Sequence, residues 1–514
     1  MAKEARISVF PKPGVYRGAT ADVSAGRWFD MSLMRWRGGQ LQPIGGWGSI
    51  AGVNLGGAGR DVLTWHDNAG HRWGCFGTDT QIFVLNFELA TLTDITPAGV
   101  GPLEPPGAPL GYGLADYGEA AYGTARDPAD IGVIDVSAIL GDMWSMDLFG
   151  EDLLFLPTQQ GTLYRWSPST PDAPAVPVPN APTANAAVGV TDERHVVLIG
   201  AGGNSRMVAW SDQENPDVWA AAVDNLAGDK QLETEGRPLN IKKAAGGMLI
   251  WTDNDAHLMR YVGPPYAYGI NKIGSNCGPI SRRAFSQAGS QTIWMAAQSF
   301  WVYDGTLSPL PCDVGDWLFS LINRDMVGRI FGSPNAQFAE HWMHFPDEGS
   351  TECNRYVAMN YVSPNREWII GQIARTAADP RQSMARPVLT TTNGKVMLHE
   401  FGWSDDGQPR FTQIYAETGT YALGDGEDQR MTIKQIIQDF TGPQDRVGYR
   451  FAFWEEPNGP EYDSGTIPIT NNTGRTDMGD GFSCRGMRMR IEALSDGPFA
   501  VGMTRLRARA SGYV

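Results

Sequence analysis

The residues with the most obvious chemical potential are two histidines, His341 and His344, which are separated by two positions. Paired histidines are common zinc ligands. In a strand, however, residues three apart point to opposite faces, and no suitably spaced cysteine or carboxylate completes a ligand set. The pair therefore predicts two core histidines, and the sequence indicates no metal site.

Two acidic segments, 253–255 and 424–428, have the composition of cation-binding loops. Neither follows the spacing of the twelve-residue calcium loop, so both are predicted to be hairpin tips or loops. A third segment, 64–73, is similar to the Asp-box turn of sialidase-like propellers, but Asp67 and Gly70 lie one residue too far apart for that motif. We expect this segment to cap a hairpin.

Motifs that would indicate an enzyme are absent from the sequence. No Gly-x-Ser-x-Gly nucleophile elbow occurs, and the glycine-rich segment 200–204 is not followed by the Lys-Ser/Thr pair of a phosphate-binding loop. We therefore expect no catalytic residue and no cofactor.

The charge of the chain is acidic but unevenly distributed. The net charge is −16, whereas residues 485–514 contain six arginines and two acidic residues, which gives +4 there and −20 elsewhere. A protein that grips DNA by neutralising phosphates needs the opposite balance, so general nucleic-acid binding by the body is disfavoured.

Five of these arginines alternate with apolar residues, as in strands that present one charged face. They are Arg488, Arg490, Arg505, Arg507 and Arg509. Two interpretations stay open: a basic surface that contacts an acidic partner or phosphates, or an ordinary solvated sheet face.

The composition predicts an all-β protein made of many short strands. The 514 residues include 62 Gly, 34 Pro and 53 aromatic residues (17 Trp, 16 Tyr and 20 Phe), a mixture typical of strands joined by tight turns. The five cysteines are odd in number and far apart, so buried free thiols are expected. The charged N-terminus and the lack of a long apolar run predict synthesis in the cytosol, with no membrane-spanning segment.

A loose repeat is the main signal for the architecture. A glycine-bearing turn and a short strand of alternating aromatic and aliphatic residues recur, and most of these strands begin about 40–55 residues apart, near the roughly 40–50-residue period of propeller blades. These strands are 80–86, 161–167, 205–211, 256–262, 298–304, 355–361 and 395–401. The spacing predicts a β-propeller of six or seven blades.

Three other regions complete the predicted organisation. Residues 1–59 form an N-terminal strand arm that closes the propeller at 60–423, and residues 424–514 form a C-terminal β-sandwich-like domain. The best helix signal lies at 314–329. A Tyr/Gly-rich insert at about 98–142 contains Tyr112, Tyr117 and Tyr122, which are predicted to contact another subunit or partner.

The order of several segments resembles one family of viral proteins. The arm, the Tyr/Gly insert, Trp144 to Leu154 and 163–166 are similar to the tail nozzle or hub proteins of short-tailed bacteriophages, also called tail tubular protein B or DNA-stabilisation proteins. Segments 209–219, 249–261 and 299–305 resemble the blades of the same family. The resemblance covers most of the chain, and the order of its pieces is more specific than any one piece.

This resemblance implies a non-enzymatic virion component. Six copies would form a ring below the tail adaptor, around the channel through which genomic DNA leaves without sequence-specific binding. Tail fibres or a needle would be further partners. An acidic lumen suits that role, because it gives DNA nothing to bind during passage.

A second hypothesis belongs to a different class of protein. The abundant Trp and Tyr residues are also compatible with a carbohydrate-binding or glycoside-hydrolysing propeller, since aromatic rings stack on sugars. A monomer with a carboxylate pair in a central pocket would favour this alternative, whereas a ring of identical chains would favour the nozzle.

Overall fold

The computed structural model describes residues 4–9, 11–18, 20–107, 140–422, 429–456, 459–469 and 474–513, and most regular structure in them is β-strand. Six strands precede the first repeat: β1 (Glu4–Val9), β2 (Lys12–Val15), β3 (Arg27–Ser32), β4 (Met34–Arg37), β5 (Gln40–Pro43) and β6 (Trp47–Asn54).

The next strands form seven antiparallel four-stranded sheets, which are the blades of a propeller. Blades 1 to 3 contain β7 (Gly59–His66), β8 (Arg72–Thr78), β9 (Ile82–Asn86), β10 (Thr91–Asp94); β11 (Trp144–Phe149), β12 (Asp152–Pro157), β13 (Tyr164–Trp166), β14 (Val176–Pro177); and β15 (Ala187–Val190), β16 (Val196–Ile199), β17 (Met207–Trp210), β18 (Gly228–Gln231). Blades 4 and 5 contain β19 (Pro238–Ala244), β20 (Gly247–Thr252), β21 (Asp255–Gly263), β22 (Ala267–Ser275); and β23 (Phe285–Ala288), β24 (Gln291–Met295), β25 (Phe300–Tyr303), β26 (Leu307–Leu310). Blades 6 and 7 contain β27 (Phe331–Asn335), β28 (Glu340–Phe345), β29 (Arg355–Asn360), β30 (Trp368–Gln372); and β31 (Ala377–Ala378), β32 (Val388–Thr390), β33 (Lys395–His399), with β6 as the fourth strand.

The predicted all-β propeller is confirmed. Each of the seven repeated segments forms the third strand of a blade, from β9 in blade 1 to β33 in blade 7. Their alternation of aromatic and aliphatic residues reflects packing on both sides, because neighbouring blades cover both faces of each sheet. The blade count is seven.

The ring closes through the N-terminal arm. Strand β6 pairs antiparallel with β33, so that Trp47 lies opposite His399, and it forms the outer edge of blade 7. The chain then enters blade 1. Blade 7 is therefore built from residues more than 300 positions apart, which joins the first blade to the last.

The remaining strands form a β-sandwich of two sheets. They are β34 (Tyr415–Thr418), β35 (Tyr421–Ala422), β36 (Gln429–Thr441), β37 (Val447–Trp454), β38 (Tyr462–Asp463), β39 (Ile467–Pro468), β40 (Arg475–Cys484), β41 (Gly486–Ala493) and β42 (Ala500–Tyr513). We call the sheet of β1, β4, β5, β36, β40 and β42 sheet A, and the sheet of β2, β3, β34, β35, β37, β38, β39 and β41 sheet B. Phe451, Met489 and Leu506 are buried between them.

Five strands of the N-terminal arm belong to this sandwich. Strand β1 pairs with β42, with Glu4 opposite Arg509, whereas β3 pairs with β34. Strands β2 and β3 also lie against β30 of blade 6. The amide of Leu33, which follows β3, donates to the hydroxyl of Tyr356 on β29 of the same blade at 3.1 Å. The arm thus contributes strands to both the sandwich and the propeller.

Helical structure is sparse in the described residues. The predicted helix at 314–329 is an α-helix, α1 (Gly315–Leu321), followed by a 3-10 helix at Arg324–Arg329. Three further 3-10 turns are Ala201–Gly203, Phe411–Gln413 and Gln444–Arg446. No helix in this part of the chain is long and apolar enough to span a bilayer.

Candidate functional site

The propeller axis is the first place where chemistry would be expected, because ligands commonly bind where the blades converge. Three inner strands, the residues just before β23 and the turn after β31 bring six charged residues together there, namely Asp61, Asp147, Lys242, Arg283, Asp379 and Arg381. They belong to blades 1, 2, 4, 5 and 7. The cavity beside them has a volume of about 20 Å³, which is room for roughly one water molecule.

Opposite charges pair across the axis. Arg381 Nη1 donates to Asp147 Oδ1 at 3.1 Å, and the Val190 amide donates to Asp147 Oδ2 at 2.9 Å. Burial alone would raise the pKa of Asp147, but Arg381 and Lys242 outweigh it and hold the pKa below its usual range. The Lys242 ammonium donates to the Met146 carbonyl at 2.6 Å. Blades 2, 4 and 7 are therefore joined by a buried polar network.

A second contact joins blades 1 and 7. Asp379 Oδ2 accepts hydrogen bonds from the Thr64 hydroxyl and, at 3.1 Å, from the Thr64 amide, while Asp379 Oδ1 accepts from the Arg381 amide at 3.0 Å. Nearby, burial raises the pKa of Asp61 to about 6. The first and last blades are held together by this carboxylate as well as by strand β6.

Substituting Thr64 with valine tests this contact with little change in shape. We expect Thr64→Val to lower the free energy of unfolding by about 1.5 kcal/mol, since a hydrogen bond to a buried carboxylate is lost. Urea denaturation would measure the change. Thr91→Val, on the exposed strand β10, is the matched control and should change stability by less than about 0.5 kcal/mol. Equal stability of the two variants would contradict this role for Thr64.

The cavity beside these six residues is too small for a large ligand. Small-molecule pockets are usually about 300–1,000 Å³, far larger than the cavity here. Its carboxylates face cations instead of an open cleft. The central pocket with a carboxylate pair that the carbohydrate hypothesis requires is therefore not formed by these residues.

The two histidines lie in different environments, as predicted for residues three apart in a strand. His341 Nδ1 is 2.8 Å from the Ser286 hydroxyl, whereas His344 stacks on Phe331 with ring centroids 4.6 Å apart. Burial lowers the pKa of each to about 3. No group of three or more His, Cys, Asp or Glu residues suited to a metal ion occurs in the described part of the chain.

The acidic turn at Asp67 caps a hairpin, as predicted. Its carboxylate accepts from the amides of Ala69 and His71 and from Trp73 Nε1 at 2.8–3.0 Å. Desolvation opposes ionisation, but these donors prevail and lower the pKa of Asp67 to about 2. In the tip 253–255, Asp255 accepts from Thr234 and pairs with Lys272 at 2.9 Å. The segment 424–428 lies entirely outside the described residues.

The alternation of Arg488 and Arg490 with apolar residues does place them on one face of β41, the outer face of sheet B. Both are already engaged by carboxylates of the same chain. Arg488 pairs with Glu461 at 2.6 Å and with Glu417 at 3.4 Å. Arg490 lies 3.6 Å from the Tyr415 ring centroid and pairs with Glu492 at 3.5 Å. These two arginines are therefore largely neutralised within the chain.

Arg505, Arg507 and Arg509 lie on the outer face of sheet A, on β42, with Leu506 and Ala508 facing the core. All three are exposed; Arg507 already has an interaction partner within the chain, and no ion pair joins Arg505 or Arg509 to a residue whose side chain the structure describes. Because sheets A and B face outward on opposite sides of the sandwich, the two arginine sets do not form one patch. The predicted contacts Tyr112, Tyr117 and Tyr122 lie in 108–139, outside the described residues.

A buried charged cluster that was not predicted from the sequence joins the arm to the propeller. Arg35 on β4 reaches Glu340 of blade 6 at 2.9 Å and Glu400, which follows blade 7, at 2.5 Å. All three side chains are at most 4% exposed. The sequence offered one clue to this cluster, a charged residue between the apolar residues Met34 and Trp36, but nothing in the sequence indicates the partners of Arg35.

Comparisons with known proteins bear on the fold alone. No protein-family model matches the sequence, and no curated protein matches it at a significant level. The Pan2 WD40 domain of Neurospora crassa is similar over 71% of this chain and 96% of that one, at 8% identity and a TM-score of 0.39. A chain of the mitotic checkpoint complex is similar over 69% and 93%, at 8% identity and a TM-score of 0.37. The fold is a β-propeller, established by its seven four-stranded blades.

Proposed function

We propose that this chain is a structural subunit of the tail of a short-tailed bacteriophage, the nozzle or hub. Six copies surround the path of the genome, bind the adaptor ring and carry fibres or a needle. The basis is the resemblance of ordered segments along most of the chain. Those segments include strands of blades 2 to 5, so they belong to the propeller and are not confined to its loops.

The observation that carries this proposal is the filled propeller axis. Side chains from five blades meet there around a cavity of about 20 Å³, which suits a rigid scaffold better than an enzyme. A DNA path in this assembly must therefore run between copies of the chain. That arrangement requires a ring with closed symmetry around a wider central opening.

The charge of the chain is compatible with a DNA passage. With −16 overall and −20 outside residues 485–514, the body repels a polyanion and offers few sites where it would be retained. Assembly then depends on contacts between subunits. The exposed arginines of β42 supply positive charge on one side of the sandwich.

Particle mass and imaging test the proposal directly. The purified full-length chain is expected to form rings of six, seen by native mass spectrometry and by cryo-electron microscopy, and antibodies should locate it at the tail of intact virions. Incubation with polysaccharide libraries should release no sugar. A stable monomer that hydrolyses a polysaccharide, with activity lost when Asp147 is replaced by Asn, would overturn the proposal in favour of the carbohydrate hypothesis.

A further inference from the structure

We propose that the exposed arginines of sheet A dock on the acidic outer rim of blade 3 in a second copy of the chain. The arginine row consists of Arg505, Arg507 and Arg509. The blade-3 rim consists of Asp224, Asp229, Glu233 and Glu235. This inference rests on the proposed ring, and it specifies which two surfaces meet in it.

The sheet fixes the spacing and the direction of the three arginines in the arginine row. Strand β42 lies between β1 and β36, and its register fixes the three guanidinium groups at alternate positions on one face. Arg507 and Arg509 line a surface groove together with the exposed Lys434. The lining of this groove includes one acidic residue, Asp477, which accepts a hydrogen bond from Gln435. The groove is therefore predominantly positive and suits carboxylates as partners.

The blade-3 rim carries four exposed carboxylates. Asp229 lies on β18, the outer strand of its blade, and Asp224 precedes this strand while Glu233 and Glu235 follow it. All four are exposed, and none forms an ion pair with another described residue. Val223, next to Asp224, is completely exposed. Three exposed cations lie beside these carboxylates, namely Lys230 on the same strand, Arg206 next to Leu232, and Arg237 two residues after Glu235, so the net charge of the rim is negative but small.

The positions of the two surfaces suit a head-to-tail contact. The sandwich packs on blade 6 and is joined to blade 7 through the arm. In a ring of seven blades, blade 3 is three blades from blade 6 in one direction and three from blade 7 in the other. The two charged surfaces therefore lie on opposite sides of the protomer, and different patches on opposite sides generate rings or filaments instead of isolated dimers.

A second copy fits the arginine row better than DNA does. The chain as a whole carries −16, so a nucleic acid that approaches the row must also approach an acidic body. In a homo-oligomer every copy supplies the acidic rim at the same concentration as the row. Ion pairs at such a surface are screened by salt, so the association should weaken steeply as ionic strength rises.

Charge reversal followed by a charge swap tests the contact. We expect reversal of the row to weaken self-association at least about tenfold, as measured by mass photometry and analytical ultracentrifugation of the full-length chain. The substitutions are Arg505→Glu, Arg507→Glu and Arg509→Glu. Reversing the rim in the same chain should restore the ring, and these substitutions are Asp229→Arg, Glu233→Arg and Glu235→Arg.

A control with the same change in net charge separates the specific contact from general repulsion. Its substitutions lie at exposed positions outside both surfaces: Lys12→Glu, Arg37→Glu and Arg260→Glu. This control should assemble as the wild type does. Circular dichroism and thermal unfolding of each variant should match those of the wild type, because all the changed side chains are exposed.

The remaining outcomes distinguish this inference from the proposed function. If the wild type forms rings and reversal of the row leaves them intact, the docking inference is wrong and the ring stands. If duplex DNA binds the wild type at low salt and reversal abolishes that binding but not the ring, the row is a phosphate site and the inference is again wrong. If the wild type forms no ring in solution or in virions, the proposed function fails and the inference fails with it.

Discussion

Replacing Arg35 with alanine is expected to lower the free energy of unfolding by about 3–5 kcal/mol, because it leaves two buried carboxylates without their common cation. Arg35 contacts Glu340 at 2.9 Å and Glu400 at 2.5 Å, and its guanidinium lies 3.7 Å from the centroid of the Phe338 ring. The cluster joins the N-terminal arm to blades 6 and 7. Urea denaturation monitored by tryptophan fluorescence would measure the loss.

The stability lost in Arg35→Ala should depend on pH, because one carboxylate of the cluster has a shifted pKa. Burial raises the pKa of Glu340 to about 7, above its unfolded value near 4.5, although Arg35 opposes this shift. Between these values the folded state binds more protons than the unfolded state, so stability falls as the pH rises through this window. Removing Arg35 raises the folded pKa further, and Arg35→Ala should therefore cost more at pH 8 than at pH 5.

A neutral replacement of the whole cluster is the control for this first prediction. The variant Arg35→Met with Glu340→Gln and Glu400→Gln contains no buried charge, and it should recover most of the stability lost in Arg35→Ala. The Gly45 amide and Asn335 Nδ2 donate to different oxygens of Glu400, so the single amide oxygen in the Glu400→Gln substitution can keep one of these two hydrogen bonds. If Arg35→Ala loses less than about 1 kcal/mol, the value typical of an exposed ion pair, the cluster does not hold the arm.

When the pH falls from 7 to 5, His344→Phe is expected to lose less stability than the wild type. The difference in the free energy of unfolding should be about 2 kcal/mol. Burial lowers the pKa of His344 to about 3, whereas an unfolded histidine titrates near 6.5. Below pH 6.5 the unfolded state binds the proton first, so the stabilisation from a neutral buried histidine is lost as the pH falls. Phenylalanine does not titrate, and its ring should keep the stacking on Phe331.

The comparison must be made between variants, because other buried groups titrate in the opposite sense. The raised pKa values of Glu340 and Asp61 make stability fall with rising pH in their windows, while His341 and His399 act in the same direction as His344. Thermal unfolding of wild type and His344→Phe at pH 7 and pH 5 gives the required difference. His66→Phe, at an exposed position, should leave the pH dependence unchanged. An identical loss in wild type and His344→Phe would show that the buried ring is not protonated on unfolding.

The local pattern of the sequence was sufficient to identify the repeated strands. The segments at 80–86 and 395–401, like the five between them, alternate large apolar residues after a glycine turn, and each is the third strand of a blade. This success has a local cause, since the strand period and the turn chemistry are both properties of neighbouring residues. The alternation of Arg505, Arg507 and Arg509 with core residues was predictable for the same reason.

Pairing between distant segments could not be predicted in this way. Nothing near Glu4 indicates that it lies opposite Arg509, and nothing near Trp47 indicates that its strand completes the blade of His399. Strand edges carry the same backbone donors and acceptors in every sequence, so the partner is selected by the packing of the whole chain. The pairing of Arg35 with Glu340 and Glu400 has the same origin.

An all-β propeller with an acidic body and arginine-rich C-terminal strands was predictable from the amino acids, because composition, alternation and repeat length are local properties. The seven blades, the small cavity at the axis and the contribution of the arm to both units became evident from the tertiary structure. It also decided which arginines are neutralised, since Arg488 lies beside Glu417 and Glu461 whereas Arg505 does not. Charge pairing depends on distances through space, and only the folded chain sets those distances.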